Sequence, residues 1–256
     1  MNDSARKNQL HQYGLIGYPL SHSFSEKYFT EKFKILGITD SNYKLYELEN
    51  LSSIREWVSE TPNLRGFNVT IPFKSTIIPF LDHVDEICSS IGAVNCVKVN
   101  AGKLIGYNTD VLGFRKALYD LLRISGKTKI NKALILGNGG SSKAVQWVLK
   151  HEDYPFTLVS RSKSEGTLNY QQITSDLFRK FDLIVNTTPL GMYPNVQNTP
   201  DLPYHVLNKE QMLMDLIYNP EKTLFLRHGE DKGCRSMNGM PMLIEQAEAS
   251  WKIWNN

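Results

Sequence analysis

The chain has 256 residues, 41% of them hydrophobic, and 29 basic against 26 acidic side chains give it a net charge of +3. This length suits one large domain or two modest ones, with enough apolar side chains for a core. Such a balanced charge does not indicate the basic surface of a nucleic-acid-binding protein. The first residues lack the apolar segment of a signal peptide and no apolar run reaches membrane-spanning length, so we expect a cytoplasmic protein.

Cysteine and histidine spacing predicts no metal site. The three cysteines (Cys88, Cys96 and Cys234) show no C-x-x-C spacing, and no two of the six histidines are three or four residues apart. We therefore expect the cysteines to be small buried residues in a reducing compartment.

The first half of the sequence predicts strands alternating with helices. Strands are predicted over residues 13–18, 43–48, 66–71, 93–99 and 104–107, and helices over 25–36 and 52–59. This β-α-β-α-β order favours a layered α/β sheet.

Residues 66–74 combine a strand with polar side chains. Asn68 and Thr70 alternate with β-branched residues, Pro72 ends the strand because it lacks an N–H group, and Lys74 follows. Neutral hydrogen-bonding groups beside one titratable amine could hold an uncharged polyol and move a proton. The alternative is an ordinary strand followed by a solvated lysine.

The second half predicts a parallel sheet. A helix over residues 113–122 leads to an apolar strand over 133–136, and further strands over 156–160, 183–186 and 212–216 alternate with helices. The last helix has one apolar face, formed by Met240, Leu243, Ile244, Ala247, Trp251 and Trp254.

A glycine-rich loop follows the first apolar strand of this half and opens a helix. Gly137 and Gly139 match the first two glycines of G-x-G-x-x-G, and Ser142 occupies the third position. Backbone N–H groups of such a loop bind the pyrophosphate of a dinucleotide at a helix N-terminus. A plain strand-to-helix turn is the alternative, although the strand-loop-helix context favours a nucleotide.

Three further segments indicate how a coenzyme and its substrate are held. The next strand ends in Ser160, Arg161 and Ser162, where an NAD site would carry an acidic residue, so the sequence favours the 2′-phosphate of NADP. An exposed basic turn is the alternative. Thr187 and Thr188 follow the third strand, where such folds reach the nicotinamide ribose, and the alternative there is an ordinary turn. Asp110 precedes the helix at 113 and could be a catalytic carboxylate or an N-cap.

Eight segments in this order resemble the shikimate dehydrogenase family over essentially the whole chain. They are Gly17-Tyr-Pro-Leu-Ser21-His-Ser23, Gly66-Phe-Asn-Val-Thr-Ile-Pro-Phe-Lys74, Gly92-Ala-Val-Asn95, Gly106-Tyr-Asn-Thr-Asp110, Gly137-Asn-Gly-Gly140, Asn186-Thr-Thr-Pro-Leu-Gly-Met192, Asp215-Leu-Ile-Tyr-Asn-Pro220 and Asn238-Gly-Met-Pro-Met-Leu-Ile-Glu-Gln246. The resemblance implies an α/β fold with a discontinuous substrate domain (residues 1–109 and 239–256) and a Rossmann-type NADP domain (110–238).

The resemblance also implies the residue roles. Lys74 and Asp110 would form the catalytic pair of a reductase that converts 3-dehydroshikimate to shikimate with NADP. Positions expected around the substrate carboxylate are Ser21, Ser23, Thr70 and Tyr218, and positions expected to hold its hydroxyls are Asn68, Asn95 and Gln246. The coenzyme would contact Gly137, Asn138, Gly139, Gly140, Ser141, Ser160, Arg161, Ser162, Thr187, Thr188 and Gly239. The sequence departs from the family pattern at Asn138, Ser160 and Glu165, among others.

Two other functions remain open from the sequence. A quinate/shikimate dehydrogenase could use NAD, and Glu165 beyond the strand end would suit that coenzyme better. A nucleotide-sensing regulator could keep the fold without the chemistry, although it would not need both Lys74 and Asp110. We expect a small-molecule substrate, no nucleic-acid or membrane partner, and a monomer or homodimer.

Overall fold

The computed structural model describes residues 10–20, 24–161 and 166–256. It divides into two compact units, one formed by residues up to Thr109 together with Ala247–Asn256, the other by Asp110–Gln246. Both units combine helices with a sheet that contains parallel strands, so the predicted α/β fold class is confirmed. The family resemblance implies a return to the first domain at residue 239, and the compact first unit of the structure includes Ala247–Asn256.

The sheet of the first unit is mixed. Its described strands are β1 (His11–Gly17), β2 (Ser41–Glu47), β3 (Leu64–Val69), β4 (His83–Val84), β5 (Cys96–Asn100) and β6 (Lys103–Tyr107). They lie in the order β2-β1-β3-β5-β6-β4. Strand β1 runs parallel to β2 and β3, whereas β5 runs antiparallel to β3 and β6. Strand β3, which carries Asn68, is therefore flanked on both sides.

Apolar side chains cover both faces of this sheet because successive residues of a strand point to opposite faces. Tyr13 and Leu15 join one cluster of buried side chains, and Ile16 joins the other. The covering helices are α1 (Ser25–Leu36), α2 (Ile54–Glu60) and α3 (Glu86–Ile91), with a 3-10 turn at Ile78–Phe80.

The end of the chain packs on the first sheet through Trp254. Its side chain is 4% exposed, and its indole N–H donates to the Val97 carbonyl over 3.0 Å. A Cβ on Gly66 would lie 2.2 Å from the Trp254 ring, so glycine provides the space that the indole fills. Loss of a buried tryptophan typically costs about 3–5 kcal/mol, which makes this contact a main anchor of the terminal segment.

The described sheet of the second unit is parallel throughout. Its strands are β7 (Ala133–Leu136), β8 (Phe156–Val159), β9 (Thr167–Leu168), β10 (Leu183–Asn186), β11 (Met212–Asp215) and β12 (Arg235–Met237). They lie in the order β12-β11-β10-β7-β8-β9. Numbered along this unit, that is 6-5-4-1-2-3, the order of the Rossmann fold. The chain order reverses between β7 and β10, where such folds bind ligands at the carboxyl ends of the strands.

Helices cover this sheet, whose central strands are buried along their length. The helices of this unit are α4 (Asp110–Ile124), α5 (Gly140–His151), α6 (Ser175–Phe178) and α7 (Leu224–Glu230), with 3-10 turns at Tyr170–Gln172 and Tyr204–Val206. The last helix, α8 (Met240–Asn255), belongs to this unit only up to Gln246. In the described part of the chain the longest helix, α8, has 16 residues, fewer than the roughly 20 that a bilayer crossing needs.

The buried face of α8 differs from the predicted one at Ile244, which is 39% exposed. Ala247 and Trp254 are buried as predicted, and the buried positions also include Met242 and Ser250. Residues before Ala247 belong to the second unit and those from Ala247 onward to the first. Because the two parts of α8 belong to different units, the helix does not need one continuous apolar face along its whole length.

Candidate active site

The loop between β7 and α5 lies at the chain-order reversal of the second sheet. Gly137 has φ +100°, and a Cβ there would lie 2.8 Å from the Thr187 hydroxyl oxygen and 3.0 Å from the Thr188 methyl carbon. Asn138 and Gly139 are exposed, and Gly140 begins the helix. This glycine therefore lets the loop approach β10 closely at the start of α5, and a glycine loop before a helix N-terminus is an arrangement that binds a dinucleotide pyrophosphate.

Side chains fasten the glycine loop at both ends. The Ser142 hydroxyl donates to the Gly137 carbonyl over 2.6 Å and is fully buried, which explains a serine at the third position of the motif. Thr187 donates through its hydroxyl to the Leu136 carbonyl over 2.6 Å. Ser141, beside Ser142, is half-buried in the first turn of α5.

Arg161 lies one strand away along the same edge. It is exposed and follows β8, which pairs with β7, and Ser160 is tied to Leu168 by a backbone hydrogen bond of 2.9 Å. Ser162 and Glu165 fall outside the described residues. The carboxyl edge thus carries the glycine loop, the threonine pair and a cation, the features that a phosphorylated dinucleotide requires.

A buried carboxylate, Asp215, ends strand β11, which pairs with β10. Its Oδ1 accepts from the Asn186 amide and from the Ile217 N–H, each over 3.0 Å, and its Oδ2 accepts from the Thr223 hydroxyl over 2.6 Å. Asn186 in turn accepts from the Thr188 hydroxyl over 2.7 Å. Burial raises the pKa of Asp215 to about 6, although these donors favour its charged form. Through these hydrogen bonds Asp215 connects the loop of Thr187 and Thr188 with Ile217, the residue before Tyr218.

Tyr218 and Gln246 belong to the same unit. Tyr218 is half-buried and lines an open cavity of about 530 Å³ that also contacts Asn238 and Ile244. Gln246 is 9% exposed and donates to the Leu243 carbonyl over 2.9 Å. Gly239 is buried, and a Cβ there would lie 2.1 Å from the Leu216 carbonyl oxygen. This close packing explains the glycine by itself, so its predicted coenzyme contact stays a prediction.

In the first unit, Asn68 and Asn95 belong to one buried network. Asn68 accepts from the Tyr43 hydroxyl over 2.9 Å and donates to the Asn95 carbonyl over 3.1 Å and to the Ser250 hydroxyl over 2.9 Å. Asn95 accepts from the Thr109 N–H over 2.7 Å and donates to the Thr109 hydroxyl over 3.0 Å. The fold thus brings two of the predicted substrate residues together.

Thr70 and Lys74 flank this network. Thr70 is half-buried, and its methyl group would lie 2.4 Å from a Cβ on Gly17, so it packs against the turn that leads toward Ser21. The Lys74 carbonyl accepts from the Val94 N–H over 2.7 Å, which holds the lysine segment beside the residue preceding Asn95. Ser21 and Ser23 fall outside the described residues.

Asp110 is the first residue of α4 and is 4% exposed. The alternative to a catalytic role was an N-cap. In the structure Asp110 lies within the first turn of the helix, where the helix dipole favours a carboxylate. Lys74 belongs to the first unit and Asp110 to the second. The catalytic pairing of Lys74 with Asp110 stays a prediction.

Sequence reasoning missed the residues that hold the predicted ones in place. Tyr43 and Ser250 carry no motif signal, because their partner Asn68 lies far away in the sequence. Thr109 occurs in one of the eight segments, but only its bonds with Asn95 reveal what it does. Asp215 occurs in one of the eight segments, but only its burial and its three donors reveal its role as an anchor.

The three cysteines are buried, as expected, and none of them is in a disulfide bond. Burial raises the pKa of the Cys96 thiol to about 12 and that of the Cys234 thiol to about 11. Both remain protonated thiols near neutral pH and are poor nucleophiles.

Comparisons with known proteins agree with this geometry. Residues 15–97 match the family model of the shikimate dehydrogenase substrate binding domain. A shikimate dehydrogenase (NADP(+)) from Methanococcus maripaludis is 40% identical over 261 residues, which cover 94% of this chain and 90% of the relative.

Solved structures match over nearly the whole chain as well. Shikimate dehydrogenase from Aquifex aeolicus superposes with a TM-score of 0.85 at 32% identity. The match covers 100% of this chain and 94% of the Aquifex chain. The Thermus thermophilus enzyme, solved with NADP(H) and shikimate, gives a TM-score of 0.82 at 29% identity. The match covers 96% of this chain and 93% of the Thermus chain.

Proposed function

Because this chain belongs to the shikimate dehydrogenase family, we propose that it reversibly reduces 3-dehydroshikimate to shikimate with NADP, a step toward chorismate and the aromatic amino acids. The observation that carries this proposal is the match to relatives of that activity over 94% of the chain. The glycine loop and threonine pair at the reversal of a 3-2-1-4-5-6 sheet support the coenzyme half of it.

Bound NADPH would supply hydride to the substrate carbonyl. Gly137, Asn138, Gly139, Gly140 and Ser141 would hold its pyrophosphate at the start of α5. Thr187 and Thr188 would face the nicotinamide ribose, and Ser160, Arg161 and Ser162 the adenosine 2′-phosphate. Arg161 supports NADP over NAD because an arginine pairs with a phosphate dianion, whereas an NAD site favours a carboxylate at this position.

Lys74 would supply the proton that the forming alkoxide needs. Asp110 would be the carboxylate that pairs with this amine. Oxidation of shikimate would run the proton transfer in reverse, with Lys74 accepting the proton from the substrate hydroxyl.

Neutral groups would bind the substrate. Ser21, Ser23, Thr70 and Tyr218 would surround its carboxylate, so hydroxyl donors rather than an arginine would hold the negative charge. The amides of Asn68, Asn95 and Gln246 would take its hydroxyls.

The protein would act in the cytoplasm on a small molecule, without nucleic-acid or membrane partners. Three buried thiols outside any disulfide suit a reducing compartment, and a net charge of only +3 does not indicate a polyanionic partner. We expect a monomer or homodimer, which analytical ultracentrifugation would distinguish.

Turnover assays with shikimate and quinate, each with NADP and with NAD, test the proposal. We expect the highest kcat/KM for shikimate with NADP. Comparable rates with quinate or with NAD would instead indicate the broader quinate/shikimate activity. Binding of NADP without turnover of either substrate would indicate a nucleotide sensor.

A further inference from the structure

Ser250 is a buried polar residue of α8 with no role in the proposed chemistry. It is 0% exposed, and its hydroxyl accepts from the Asn68 amide over 2.9 Å and lies 3.1 Å from the Thr109 hydroxyl. A buried hydroxyl in a helix otherwise dominated by apolar packing costs stability unless its bonds serve the fold or a site. The hydrogen bond with Asn68 suggests that Ser250 serves the binding site, because Asn68 is a proposed substrate contact.

The contacts of Asn68 determine which way its amide faces. The Asn95 carbonyl can only accept, so the Asn68 atom 3.1 Å away must be the amide nitrogen. Oδ1 then accepts from the Tyr43 hydroxyl over 2.9 Å. The second amide hydrogen goes to Ser250. Among the described residues, both hydrogens are therefore used within the protein, and a ligand meets the remaining lone pair of Oδ1.

We propose that Ser250 is a positioning residue that, together with Tyr43, orients Asn68 so that it accepts a hydrogen bond from a substrate hydroxyl and donates none. This inference rests on the proposed function, since it takes Asn68 as a contact of shikimate. It goes further by giving the polarity of that contact and by assigning an orienting role to Ser250. Asn68 is 5% exposed, which suits contact through one atom.

The effect should appear in substrate affinity. Ser250→Ala leaves one hydrogen of the Asn68 amide without a partner and releases the orientation of the amide. A typical hydrogen bond contributes about 0.5–1.5 kcal/mol net, so shikimate binding should weaken by roughly two- to tenfold. The value of kcat should change less, because Ser250 does not contact the reacting carbon. Alanine is favourable in a helix, so the variant should fold.

A double-mutant cycle tests this mechanism. Shikimate Kd would be measured by calorimetry, and KM by steady-state kinetics, for wild type, Ser250→Ala, Asn68→Ala and the double variant. Ser59→Ala, an exposed helical serine that bonds a backbone carbonyl, is the matched control. We expect Ser250→Ala to weaken binding in the wild-type background and to have no further effect when Asn68 is absent.

Two results would refute the role of Ser250 without affecting the proposed function. One is an unchanged shikimate affinity in Ser250→Ala, and the other is an equal loss of affinity whether or not Asn68 is present. If wild type does not bind shikimate at all, the proposed function fails and this inference with it. Should Asn68→Ala not fold, hydrogen exchange of the Asn68 side-chain amide decides the question. One of its two hydrogens should exchange faster in Ser250→Ala, and unchanged exchange of both would refute the role of Ser250.

Discussion

Neutralising the buried carboxylate of Asp215 should remove a pH dependence from the stability of the protein. Asp215 is 0% exposed, and its charge is met by neutral donors from Asn186, Ile217 and Thr223. Burial outweighs these donors and raises the pKa from 3.8 to about 6. The folded protein therefore holds a proton on Asp215 at pH values where the unfolded chain has lost it.

The sign of the effect follows from this difference. Below the unfolded pKa of 3.8 both states are protonated, and the contribution of Asp215 to stability is fully present. As pH rises toward the folded value, stability falls by about 1.4 kcal/mol per pH unit. The total loss is about 3 kcal/mol, of which roughly 1 to 2 kcal/mol falls between about pH 5 and about pH 8.

Asp215→Asn isolates this contribution with little change of shape. Its oxygen can keep the bonds from Asn186 and Ile217, and its amide can donate to the Thr223 hydroxyl, which is free to rotate. Urea unfolding at about pH 5 and about pH 8 should show wild type losing roughly 1 to 2 kcal/mol more than the variant as pH rises.

The control for this experiment is Asp201→Asn, which changes an exposed carboxylate of the same unit and should keep the wild-type slope. Equal slopes for wild type and Asp215→Asn would refute the raised pKa. If wild type instead lost stability relative to Asp215→Asn on acidification, the donors would outweigh burial and the pKa would be lowered.

Three further substitutions test the proposed chemistry. Lys74→Ala should lower kcat by about 10²–10⁴-fold and leave the substrate KM within a few fold, and retention of a third of the wild-type kcat would exclude the lysine as proton donor. Arg161→Ala should weaken NADP by about ten- to a hundredfold and leave NAD unaffected, since a bond to a charged group contributes roughly 1.5–3 kcal/mol. Equal losses for both coenzymes would indicate a structural role, and the exposed Arg179 provides the matched control. Gly137→Ala places a Cβ 2.8 Å from the Thr187 hydroxyl at φ +100°, so thermal melts and the coenzyme KM should show about 1–2 kcal/mol of lost stability and weaker NADP binding. A variant with wild-type values of both would show that the loop accommodates a side chain.

Local patterns in the sequence predicted much of this fold. The apolar runs at 133–136 and 183–186 became β7 and β10 with the predicted bounds, and the glycine loop lies where its strand and helix place it. Strands β4, β9 and β12 were not predicted, because two or three residues are too few for a periodic signal. Their pairing with β6, β8 and β11 creates them.

The orientation of the site residues depends on contacts between distant parts of the chain. Asn68 could be selected as a site candidate from its strand, but which way its amide faces depends on Tyr43 and on Ser250, 182 residues away. Asp215 could be read as part of a motif, yet its raised pKa exists only because the fold buries it. Periodicity and turn chemistry act between neighbours in sequence, so the sequence by itself determines them. Hydrogen-bond direction and desolvation arise between elements that meet only in the folded protein, so the tertiary structure decides them.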